Sequence, residues 1–120
     1  MLGLVTNYVS VEELELLSFF EVEPSRADRD IPWPYNDFCY QLEIGPYAVS
    51  FSIYPAFREL SLSIAHSGAE LYSLRAIRVK DVLCHKDGDL ETLEIVVSDS
   101  DTIWLRLRPN LLITQDAGEA

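Results

Sequence analysis

Lysine is scarce in this 120-residue chain, present only as Lys80 and Lys86. Nine basic residues face 20 acidic ones, for a net charge of −11. Phosphate backbones are bound through clustered lysine and arginine, so this balance argues against nucleic acid or an anionic membrane as a direct partner. Histidine is equally rare, with His66 and His85 alone. No Cys-x-x-Cys or His-Glu-x-x-His occurs, so no zinc site is expected. Cys84 and His85 are adjacent, but strand neighbours point to opposite faces and cannot easily share a metal. The five glycines stand singly, so neither phosphate-cradling loop is present. No Gly-x-Ser-x-Gly elbow is found, and nothing in the spacing supports a Cys–His nucleophile pair. No cofactor is implied. No apolar run approaches the roughly 20 residues that span a bilayer. The opening Met-Leu-Gly-Leu-Val-Thr-Asn lacks the charged and apolar regions of a secretory signal, which makes the cytoplasm the expected location. With only Cys39 and Cys84, 45 positions apart, free thiols are expected.

What is present is period-two patterning. Phe38, Tyr40, Leu42 and Ile44 fall on alternate positions, as do Tyr47, Val49, Phe51 and Ile53. Gly45-Pro46 separates the two runs. The pattern predicts an antiparallel hairpin with one buried face. Leu60, Leu62 and Ile64 alternate with Ser61, Ser63 and Ala65 and give the next strand. Between Leu74 and Ile77 the apolar phase slips, which predicts a bulge or a break into two strands near Arg75-Ala76. Ile77, Val79 and Leu83 then share a phase. Lys86-Asp87-Gly88-Asp89 is a hairpin turn with Gly88 at positive φ. Leu93, Ile95 and Val97 follow, then Ile103, Leu105 and Leu107, and a short last strand over Leu111 to Thr114. Gln115 to Ala120 reads as a frayed polar tail. At the other end, Ser10 and Glu13 match a capping box for one helix over about Val11 to Leu17. Phe19, Phe20 and Val22 then suggest a first strand.

These features predict a mainly β fold, an antiparallel two-sheet sandwich or roll of about eight short strands with one short N-terminal helix. It forms a single domain over residues 1–120. The 48% hydrophobic content suffices for a core without metal or disulfide. Cys39, opposite in phase to Phe38 and Tyr40, is expected to be covered by a second layer.

Residues 25–37 form the longest irregular segment. Pro32 and Pro34 bias the residues before them toward extended conformations, giving a stiff loop that carries Trp33 and Tyr35. The loop reads either as a binding loop or as an aromatic plug for the open end of the β-structure. The acids from Asp87 to Asp101 do not match a calcium loop and read as a charged edge. Arg106 and Arg108 share a face with Trp104, and cross-strand pairing with acids is the favoured reading for them and for Arg75 and Arg78.

From Leu74 onward, Leu-Arg-Ala-Ile-Arg-Val-Lys-Asp-Val, Asp-Gly-Asp, Leu-Glu-Ile and Trp-Leu-Arg-Leu-Arg-Pro together resemble small uncharacterised bacterial β-domains of the immunity type. Proteins of that type bind and neutralise a cognate toxin in the same cell. The resemblance covers the last third of the chain and implies an acidic, non-enzymatic binder of a basic toxin. The leading expectation is therefore a protein-binding module that uses Trp33, Tyr35 and Asp37, with Asp28 and Asp30 beside them, against a basic protein. The rival is a small-molecule-binding β-domain or minor enzyme with a pocket between the sheets, lined by Tyr40, Tyr54, Trp104 and Arg106. A third reading is a structural subunit that self-associates through a strand edge.

Overall fold

A computed structural model describes residues 8–118; the opening segment before Tyr8 and the last two residues of the expected tail lie outside it. Nine strands form two antiparallel sheets. The first holds β1 (Ser25–Arg26), β2 (Phe38–Ile44), β3 (Tyr47–Tyr54), β4 (Glu59–His66) and β5 (Ala69–Ala76), in that order. The second holds β6 (Asp81–Asp87), β7 (Leu90–Val96), β8 (Asp101–Arg106) and β9 (Leu112–Ala117), also in chain order. Each sheet is thus a meander, and the chain passes between them once, through residues 77–80. The phase slip after Leu74 marks this passage. Arg78 adopts a left-handed conformation there, with φ 58°. The reversal breaks the alternation, so Val79 is buried while Ile77 is exposed. The expected shared phase of Ile77 with Val79 is corrected accordingly.

The hairpin forms as its pattern requires. Ile44 pairs with Tyr47 across Gly45-Pro46, and Tyr40 pairs with Phe51. Gly88 turns the β6–β7 hairpin at φ 62°, a conformation that costs a residue with a Cβ. Inward residues of both sheets make one core that includes Phe38, Phe51, Leu62, Val82, Ile95 and Leu105.

One helix, α1 (Glu13–Phe20), is wedged into this core. Leu16, Phe19 and Phe20 are buried, a stripe at helical spacing. Phe20 stacks on Tyr40 at 4.8 Å and on Phe51 at 5.1 Å, while Phe19 meets Phe20 edge-on at 4.9 Å. The expected strand does not form: Phe19 and Phe20 belong to the last turn of the helix, which is capped by left-handed Glu21 (φ 60°), and Val22 follows in a bend. The start also moves. Glu12 is the N-cap, and its backbone N–H donates to Glu15 Oε1 at 2.9 Å. Ser10 does not cap. Its N–H and hydroxyl both donate to the Asp81 carboxylate at 2.6 Å, tying the N-terminal segment to β6.

Arg108 reaches back to the helix and donates to the carbonyls of Phe19 (2.9 Å) and Phe20 (3.3 Å). It also pairs with Glu21 at 3.6 Å. A cation there satisfies orphan carbonyls at the negative end of the helix dipole. The last strand runs on to Ala117, so residues 115–117 pair with β8 instead of fraying. Both cysteines are free and half-buried. Cys39 faces outward, its Sγ 4.0 Å from Ser50 Oγ, on the face of the first sheet that the second sheet does not cover.

Candidate binding surface

Register decides what gathers on the outer face of the first sheet. Side chains opposite one another across a sheet point to the same face. Cys39, Ser52, Ser61 and Arg75 therefore form one outward row across β2 to β5. One step toward the crossover the next outward row is Asp37, Tyr54, Glu59 and Ile77; within it Tyr54 pairs directly with Glu59. The first row is small at its centre and the second is large. The step between them opens a cavity of about 320 Å3, lined by residues of both rows.

Three irregular segments meet beside it. The turn Trp33–Tyr35 lies against the turn Pro55–Phe57. The second turn is joined to the crossover through Val79 N–H donating to Arg58 O at 2.9 Å. Arg58 also donates its guanidinium to Val79 O at 3.2 Å and to Lys80 O. This end of the molecule exposes large apolar side chains: Tyr35 at 52%, Phe57 at 60% and Ile77 at 61%. Phe57 stacks flat on Tyr54, with centroids 4.4 Å apart and 14° between planes. Exposed aromatics gathered in one place mark interaction surfaces more often than scattered ones do.

The 25–37 segment is an ordered loop built around Asn36, the buried polar residue of the core region at 1% exposure. Its Nδ2 donates to Asp28 O at 2.6 Å and Ile31 O at 3.1 Å. Its Oδ1 accepts from the N–H groups of Asp37 at 2.8 Å and Asp28 at 3.3 Å. Asp28 Oδ1 in turn accepts from Asp30 N–H at 2.9 Å. One amide thus fixes both ends of the loop.

The loop divides its own aromatics. Trp33 is half-buried, its ring 4.7 Å from Phe38, so it covers the core. Tyr35 points out. Asp28, Asp30 and Asp37 are exposed, and Asp37 borders the cavity. Partial burial raises the Asp37 pKa, and the Glu59 carboxylate raises it further. Neither acid has an ion-pair partner among the described residues.

The four residues of the rival pocket are not brought together. Tyr40 is fully buried between the sheets, where Phe20 fills the space against it. Tyr54 lines the outer cavity. Trp104 and Arg106 lie on the outer face of the second sheet, and Arg106 donates to Asn110 Oδ1 at 3.3 Å. Three acids in or beside the second sheet have basic partners: His85 Nε2 lies 2.6 Å from Glu94 Oε1, Lys86 lies 3.5 Å from Glu91, and Lys80 pairs with Asp99. The Lys80 bond holds the Asp99 pKa below its ordinary value. Among the described residues no group of three metal-ligating side chains is placed to hold an ion. No helix there is long and apolar enough to cross a membrane. Glu59 and Ile77 were missed in sequence because their common row needs the register of the sheet, and Phe57 because its seat on Tyr54 depends on the turn that carries it.

Fold and surface together define a two-sheet antiparallel β-sandwich with one wedged helix and its exposed aromatics gathered at one end. That fold is similar to a chain in the solved contact-dependent growth inhibition toxin–immunity protein complex from Klebsiella pneumoniae 342. The TM-score is 0.74 at 22% identity, over 93% of this chain and 98% of that one. No family model matches the chain, and no curated protein matches it in sequence.

Proposed function

We propose that this chain is an immunity-type protein, a non-enzymatic cytoplasmic binder that neutralises a cognate toxin by covering it. The observation that carries the reading is the likeness of fold along nearly the whole of both chains to a component of a toxin–immunity protein complex. Its own charge of −11 supports the immunity side of such a pair and a basic toxin opposite it. A field of one sign speeds encounter with an oppositely charged partner and sets its register. The aromatic end built from Tyr35, Phe57 and Tyr54, with Asp37 beside it, is the proposed contact surface. Asp28 and Asp30 supply charge at its rim. Buried aromatics hold such complexes, while rim carboxylates mainly govern association rate.

The test is capture followed by rescue. The tagged chain is used to capture partners from its source cells, and the captured protein is then expressed alone and together with this chain. Growth arrest by the captured protein, relieved by co-expression, is the expected result. Growth arrest by this chain on its own would place it on the toxin side and sink the reading.

A further inference from the structure

We propose that the cavity at the crossover end is a socket for an arginine side chain presented by a basic partner protein. The inference deepens the immunity reading by naming what the partner inserts, and it rests on that reading only for who presents it.

Three observations converge on the socket. Its floor is made of the short side chains Ser52 and Ser61, whose hydroxyls can accept hydrogen bonds. Its wall toward the crossover carries Asp37 and Glu59, two carboxylates in one outward row with no cation paired to either among the described residues. Between them stands the ring of Tyr54, held flat by its stack on Phe57. Small-ligand sites run from about 300 to 1,000 Å3, so a cavity of 320 Å3 suits one long side chain better than a larger ligand.

The chemistry of the wall selects the occupant. A guanidinium is planar, carries five donors and stacks on aromatic faces, whereas an ammonium is a compact, strongly hydrated charge. Two acceptor carboxylates on either side of an aromatic ring suit the first. The charges of the wall point the same way. Asp37 and Glu59 repel one another and Asp37 is partly desolvated, and a cation between them offsets both costs. Exposed Phe57, Ile77 and Tyr35 then give the partner's surroundings an apolar rim that excludes water, the usual setting of a buried anchor.

Arg75 lines the same cavity in the serine row and makes no ion pair with either acid. Its charge opposes an incoming cation, which supplies a test of sign.

The experiment is an amide NMR titration of the isolated protein with N-acetyl-arginine amide, using the uncharged citrulline analogue as control. Saturable shifts confined to Ser52, Tyr54, Glu59, Ser61 and Arg75 are expected with the arginine probe and none with citrulline. The Asp37→Asn, Glu59→Gln double variant weakens binding about tenfold or more, as loss of two charge-assisted contacts requires, and Arg75→Gln strengthens it. Equal shifts with both probes, no localised shifts, or weaker binding in Arg75→Gln each overturn the socket, the last by revealing an anion site. These readouts use no toxin. A chain that rescues growth but ignores the arginine probe keeps the immunity reading and loses the socket. One that takes the probe but captures no toxin does the reverse.

Discussion

Replacing Asn36 with alanine removes the amide that holds the 25–37 loop shut. Four hydrogen bonds are lost, three of them between 2.6 and 3.1 Å and the fourth at 3.3 Å. Each ordinary bond contributes about 0.5–1.5 kcal/mol net, and a buried group left unpaired costs more. Water reaches the freed groups of Asp28, Ile31 and Asp37 because those residues are exposed. The expected loss is therefore about 2–3 kcal/mol, toward the middle of the range three bonds would give. An unfolding entropy of about 2.1 cal/mol/K per residue converts this to a fall in Tm of roughly 8–12 °C. Urea unfolding measures the loss, and amide hydrogen exchange locates it: protection should vanish first between Ala27 and Asp37 while the β2–β3 hairpin keeps its own. Asn36→Asp sharpens the test. It keeps the acceptor oxygen but turns a second oxygen toward the carbonyls of Asp28 and Ile31. It should be worse than alanine near neutral pH and improve on acidification as the buried carboxyl takes a proton. A stability loss under about 0.5 kcal/mol for Asn36→Ala, typical of an inconsequential surface change, would refute the claim that this side chain organises the loop.

Three further outcomes follow from single side chains. Arg108→Met should cost about 1–2 kcal/mol, since it strips two charged hydrogen bonds from the C-terminal carbonyls of the helix; unchanged exchange protection over Glu13–Phe20 would count against that role. Tyr40→Phe should leave stability unchanged or raise it by up to about 1 kcal/mol, because the buried hydroxyl has no partner among the described residues; a clear loss in urea unfolding would show the hydroxyl to be bonded. Asp37→Asn should raise Tm at neutral pH: with the folded pKa above the ordinary 3.8, the charged form is disfavoured by folding, so the aspartate costs stability above its folded pKa and nothing below 3.8. Melts near neutrality and at about pH 3 should show the gain only at the higher pH, and an equal gain at both would contradict the electrostatic account.

The period-two signal made the β2–β3 hairpin legible residue by residue, because burial of one face demands it. The phase slip after Leu74 located the crossover for the same reason. Adjacent Phe19 and Phe20 misled because two neighbouring apolar residues fit a strand edge as well as a helix stripe. Ser10 misled because its competitor for the hydroxyl, Asp81, lies 71 positions away. The loop was legible as a loop, yet Trp33 and Tyr35 look alike in sequence, and only the seat of Trp33 on Phe38 separates the inward ring from the outward one. The cavity was invisible, since its walls come from Asp37 ahead of β2, from β3, β4 and β5, and from the crossover, and no local pattern records which residues meet across strands.

The alternation of the first sheet divides its positions between two faces under different constraints. Phe51, Ile53, Leu60 and Leu62 answer to the core, where a lost methylene is felt. Ser52, Tyr54, Glu59 and Ser61 stand between them on the outer face and line the cavity instead. Exposed positions of this kind usually change with little effect on stability. Substitutions can therefore accumulate along one side of the pleat while the other side keeps the protein folded. That separation is consistent with two chains sharing a shape at 22% identity, since the buried side alone sets the fold.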